Sequence, residues 1–123
     1  MNVLDIAGTD ETPRILFDGE KGELEVSGRS LPEDATSFYG VAFDWISQYM
    51  KSPLPQTSAN FKLEYFNTAS AKQLFRLLSL ISQLAKNHKV VINWYYHSED
   101  KDMLSSGERF SKLLNLPISM YEY

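Results

Sequence analysis

The chain has 123 residues, 43% of them hydrophobic and 23% charged, ordinary proportions for one globular domain with a core of its own. It has no cysteine, which excludes disulfide frameworks, thiolate metal sites and cysteine nucleophiles. A net charge of −4 argues against binding to nucleic-acid phosphates as the main task.

The first residues, Met1-Asn2-Val3-Leu4-Asp5, lack the basic region and apolar core of a signal peptide. No apolar run approaches the roughly 18 residues of a membrane helix. A cytoplasmic chain without membrane insertion is expected. Residues 1–12 read as a loosely ordered lead-in with a short edge strand at Val3–Ile6, and Pro13 ends it. Arg14–Phe17 is a short strand, and Glu23–Gly28 answers it with Leu24 and Val26 inward. Between them, Asp18-Gly19-Glu20-Lys21-Gly22 is a turn, so the pair forms a β-hairpin.

Ser30-Leu31-Pro32-Glu33-Asp34 is a helix-start signal. Phe38, Val41, Ala42, Trp45, Ile46, Tyr49 and Met50 follow at three- and four-residue spacing, which predicts an amphipathic helix over about 33–51. Gly40 inside it suggests that something packs close there. Pro53 and Pro55 end the helix.

In Phe61-Lys62-Leu63-Glu64-Tyr65, the residues Phe61, Leu63 and Tyr65 alternate with charged ones, as in a half-buried strand that Phe66 closes. Ser70-Ala71-Lys72-Gln73 has the form of a capping box, with Ser70 at N-cap and Gln73 at N3. Leu74, Leu77, Leu78, Ile81, Leu84 and Ala85 form the stripe of a second helix over about 71–86, with Asn87 as a left-handed cap. Thr68 then lies on the turn two residues before the helix, with its hydroxyl facing solvent where a partner protein can reach it. From the residues alone the simpler reading is an ordinary turn threonine that helps shape the helix entry.

Lys89–His97, apolar or aromatic on both faces, predicts a central strand. Ser98–Asp102 is a short acidic loop, and Ser105-Ser106-Gly107-Glu108 offers another capping box for a short third helix, with Met103 and Leu104 in an extra turn before it. Pro117 opens a last strand, Ile118–Tyr123, at an edge. The order ββαβαβαβ makes an α/β domain with a mixed sheet and helices mainly on one face.

No GxGxxG, GxxxxGK[ST], HExxH, GxSxG or EF-hand pattern is present. His88 and His97 lack a recognised metal spacing, and no cofactor is expected. Glu99, Asp100 and Asp102 are either a solvated loop or a divalent-cation site. Trp94-Tyr95-Tyr96 either packs the core with one ring exposed, stacks a base, or anchors a protein partner.

Four strings carry a resemblance: Arg14-Ile15-Leu16-Phe17-Asp18, Gly22 to Ser30 (Gly-Glu-Leu-Glu-Val-Ser-Gly-Arg-Ser), Phe61 to Thr68 (Phe-Lys-Leu-Glu-Tyr-Phe-Asn-Thr), and Val91-Ile92-Asn93-Trp94-Tyr95-Tyr96 before an acidic loop. The chain resembles the SiaC family of bacterial regulatory phosphoproteins from about residue 9 to its C-terminus. The resemblance implies a fold similar to the STAS domain of anti-sigma-factor antagonists and a non-enzymatic, partner-switching role. In this family a Ser/Thr kinase phosphorylates a threonine at a helix start, here matched by Thr68, and a PP2C-type phosphatase removes the phosphate. The unmodified protein binds and activates a diguanylate cyclase, raising cyclic di-GMP and favouring aggregation and biofilm growth.

The docking surface expected from the sequence is Phe66, Asn67, Thr68, Ala69 and Ser70 with Ala71, Lys72, Phe75 and Arg76. Phe75 and Arg76 lie off the leucine stripe, and an exposed Phe beside an Arg is interface composition. The first helix offers a second patch whose face the sequence does not choose. Two other functions compete. One is an anti-sigma-factor antagonist in transcription control; the other is a small enzyme or nucleotide-binding domain using Trp94–His97 and the acidic loop.

Overall fold

In the computed structural model, which describes residues 2–123, six strands form one sheet and three helices cross over between parallel neighbours. The strands are β1 (Leu4–Ile6), β2 (Arg14–Asp18), β3 (Glu23–Ser30), β4 (Gln56–Phe66), β5 (Lys89–Tyr96) and β6 (Ser119–Glu122). The helices are α1 (Ala35–Tyr49), α2 (Thr68–Leu84) and α3 (Lys101–Leu114). Strand order follows the chain; β1–β2 and β2–β3 are antiparallel, and the remaining pairs are parallel. From β2 onward this is the expected ββαβαβαβ order, and β1, the short edge strand of the lead-in, adds one strand ahead of it.

Three successive right-handed crossovers moving in one direction place all helices on one side of the sheet. Burial follows. Ile15, Phe17, Leu24, Val26, Ala59, Phe61, Ile92 and Trp94 point into the helix layer and are buried. They meet Tyr39, Ile46 and Tyr49 from α1, and Leu74, Leu77, Leu78, Ile81 and Leu84 from α2. The leucine stripe is thus the inner face of α2. The hairpin turn needs glycine at Gly22: φ is +67°, and a Cβ there would lie 2.7 Å from the Gln56 carbonyl oxygen.

Several expectations are corrected. Nothing lies within 4 Å of a Cβ built on Gly40, so no close packing explains that glycine. α2 ends at Ala85 in right-handed geometry, and the left-handed asparagine is Asn115, at the end of α3 (φ 49°). β5 lies one strand in from the edge, between β4 and β6. Its outer face is covered by side chains rather than a helix: Tyr95 stacks on Tyr121 at 5.4 Å, and the Lys62 ammonium lies 4.7 Å from the Tyr95 ring centre. α3 does not start at a Ser105 cap. It starts at Lys101, where Asp100 Oδ1 accepts from the Met103 N–H (2.9 Å), so the acidic segment forms the cap and first turn of a helix. Gly107, expected in a cap, lies mid-helix against the face of Trp94.

Candidate functional site

The segment around Thr68 is shaped by an irregularity in β4. Gly28 pairs with Leu63 but Arg29 pairs with Tyr65, so Glu64 is an extra residue that shifts the register. A one-residue shift exchanges the faces of all later side chains. Tyr65, expected inward, is therefore 47% exposed, with the Arg29 guanidinium 5.6 Å from its ring centre. Phe66 turns inward instead and packs on Phe110 (6.3 Å) and Trp94 (6.2 Å).

α2 begins immediately afterwards. Its N-cap is Asn67, whose Oδ1 accepts from the Ser70 N–H at 2.8 Å. The Asn67 N–H donates to the Ser30 carbonyl at 3.0 Å, which ties the turn to the end of β3. This corrects the Ser70–Gln73 capping box. Ser70 is fully buried inside the first turn, and its hydroxyl donates to the Ser30 carbonyl (3.0 Å). Gln73 is buried and accepts from Arg76 Nη1 (3.1 Å). Thr68 is consequently the first residue of the helix, not a turn residue ahead of it, and it is exposed together with Ala69.

Helical spacing aligns Thr68 with Lys72, Phe75, Arg76 and Ser79 on one outer stripe. Lys72 and Arg76 are exposed. Phe75 is not the exposed ring expected: it is half-buried, with its ring 6.4 Å from Phe110. The aromatic partner of Arg76 is Phe43 of α1, with the guanidinium 4.5 Å from the ring centre. Phe43, Ser47, Phe75, Arg76, Ser79 and Leu80 line a groove of about 390 Å³ between α1 and α2. Phe43 and Ser47 were missed in sequence because only the crossover geometry decides which face of α1 meets α2.

A second hollow of about 340 Å³ opens where β4 ends, lined by Glu64, Tyr65, Phe66, Asp100, Asp102, Met103 and Ser106. Among the described residues no group of three or more His, Asp or Glu side chains is arranged to hold a metal ion. Trp94 is 1% exposed, and its Nε1 donates to the Met103 carbonyl (2.9 Å), so the indole belongs to the core beneath α3. Behind the start of α2, the Tyr39 hydroxyl lies 2.7 Å from Ser30 Oγ. Burial pushes the Tyr39 pKa up to about 12.

Comparison with known proteins supplies the lineage. The family model of the SiaC family regulatory phosphoproteins matches residues 6–123. An uncharacterised protein of Pseudomonas aeruginosa (strain UCBPP-PA14) is 26% identical over 121 residues, covering 98% of this chain and 96% of that one. The crystal structure of apo-SiaC from Pseudomonas aeruginosa superposes with a TM-score of 0.89 at 26% identity, covering 98% of this chain and 99% of that one. A chain in the crystal structure of the diguanylate cyclase SiaD in complex with its activator SiaC, from the same organism, superposes with a TM-score of 0.91, again at 26% identity over 98% and 99%. With the family model spanning nearly every residue and the solved folds agreeing throughout, this chain belongs to the SiaC family of regulatory phosphoproteins.

Proposed function

We propose that this chain is a single-domain, non-enzymatic partner switch acting in the cytoplasm. In its unmodified form it binds and activates a diguanylate cyclase. A Ser/Thr kinase phosphorylates Thr68 and blocks binding; a PP2C-type phosphatase restores it. The observation that carries this reading is the exposed Thr68 at the first position of α2, with capping left to Asn67. The relative solved with its cyclase supports the class of partner. Among the described residues no helix is long and apolar enough to cross a membrane.

The helix layer has the composition of a docking surface. The 15 residues of α1 and the 17 of α2 carry only three charges, Asp44, Lys72 and Arg76, in a chain that is 23% charged. Charge depletion with aromatics and arginine marks the buried centre of interfaces. Phosphorylation would add roughly −1.5 to −2 charge and three acceptor oxygens at Thr68. The isolated protein tolerates that charge, because the helix dipole and free first-turn amides favour an anion there. A partner seated over Thr68 would have to bury it, which is costly without a matching cation.

Thr68→Glu is therefore expected to weaken cyclase binding at least tenfold, about 1.4 kcal/mol, while the melting temperature stays within a few degrees of wild type. Calorimetric titration with the purified cyclase and a thermal melt of each variant test this. Unweakened binding, or a melt lowered by much more, would overturn the proposed block.

A further inference from the structure

Ser30, Tyr39 and Ser70 are each 0% exposed and meet behind the start of α2. A hydroxyl has one proton to give. Ser70 gives its proton to the Ser30 carbonyl at 3.0 Å, so toward Ser30 Oγ, 2.8 Å away, it can only accept. That commits the Ser30 proton to Ser70. At the 2.7 Å contact between Ser30 Oγ and the Tyr39 hydroxyl, Tyr39 must then be the donor. Donation runs one way, from Tyr39 in α1 through Ser30 at the end of β3 to Ser70 in α2, and ends on a carbonyl that also receives the Asn67 N–H. Tyr39 is protonated at neutral pH even at its ordinary pKa of 10.0, and burial only raises that value further.

We infer that Tyr39, Ser30 and Ser70 form a one-way hydroxyl relay that withdraws Ser70 from modification and so leaves the exposed Thr68 as the single phosphoacceptor at the start of α2. The acceptor half of this statement rests on the phospho-switch reading above. In phosphoryl transfer from ATP, the acceptor oxygen forms a bond to the γ-phosphorus as the bond to ADP breaks, and its proton passes to a base of the kinase. The Ser70 oxygen is disqualified twice. Its proton is held by a backbone carbonyl, and the residue has no surface for a kinase to reach. Thr68, two residues earlier, is exposed.

Two measurements test this. In the first, wild type and Thr68→Ala are produced in the cells the protein comes from, and phosphosites are mapped by mass spectrometry. Phosphate is expected on Thr68 alone in wild type, with Ser70 of Thr68→Ala below one tenth of that occupancy; a tenth or more overturns the selectivity. In the second, hydroxyl and amide protons of unmodified protein are followed by NMR. The Tyr39 hydroxyl proton should be slowly exchanging, with a cross-peak to the Ser30 side chain. Tyr39→Phe should speed exchange of the Ser70 hydroxyl and amide at least tenfold, with the Leu78 amide unchanged. Equal Ser70 rates in the two proteins overturn the relay. Wild type without phosphate on Thr68 overturns the phospho-switch reading and the acceptor half of the inference; the NMR arm decides the relay alone.

Discussion

Thr68 and Ser70 are similar side chains two residues apart, yet one faces water and the other is fully enclosed. Sequence spacing could not separate their tasks. Asn67 and Ser70 are both good N-caps, and each stands three residues before a plausible first-turn partner. The decision comes from Ser30, which is 40 positions away in sequence from Ser70 and occupies its hydroxyl. Exposure of Thr68 was legible; the identity of its cap was not. The same network gives an alkaline signature. Tyr39 titrates near 12 when folded against an ordinary 10.0, so folding favours its protonated form. That contribution is complete below pH 10 and shrinks as pH rises toward 12, because only the unfolded chain releases the proton there. Wild type should lose up to about 1.4 kcal/mol of stability per pH unit in that window from this group. Tyr39→Phe should lack that component, as urea titrations at pH 10 and 11 would reveal; identical pH slopes would exclude it.

At the level of single elements, strand and helix identities followed from their periods, but the joints did not. α3 was expected to start near Ser105 because Ser105–Glu108 has the form of a cap. Its real start is Lys101, and Gly107 serves a different end. A Cβ at Gly107 would lie 2.5 Å from Trp94 Cδ1, so only glycine lets α3 settle on the indole whose N–H bonds the Met103 carbonyl. Gly107→Ala should cost about 1–3 kcal/mol through overpacking, offset by roughly 1 kcal/mol of better helix propensity. The expected result is a lower urea midpoint with an unchanged slope. A stabilised variant would mean that the indole can move aside. Long-range contacts of this kind leave no local trace beyond the glycine itself.

Across the whole molecule, the alternation of strands and helices was enough to place all three crossovers on one face. β5 was expected to be central because both of its faces are apolar or aromatic, yet aromatic neighbours rather than a second helix layer cover its outer side. The covered face exposes a helix surface that is poor in charge, with Arg76 bridging α1 and α2 through Phe43. Replacing Arg76 with glutamate removes the cation–π contact and the hydrogen bond to Gln73. It also adds a negative charge to a chain already at −4. Affinity for the cyclase should fall about tenfold, roughly 1.4 kcal/mol, in a binding titration. An unchanged affinity would exclude this groove from the proposed docking surface.

The extra residue at Glu64 also limits what can be transplanted. It acts as a phase shifter between strand and helix: Phe66 faces inward, and Asn67 meets the end of β3, only because the alternation has slipped by one position. A graft carrying Phe66 to Arg76 onto a regular strand–helix joint would arrive about half a turn out of phase, turning Phe66 toward solvent and pulling the cap from its anchor. The portable module is therefore the joint together with the tail of its neighbouring strand, Gly28 to Ser30, and not α2 alone.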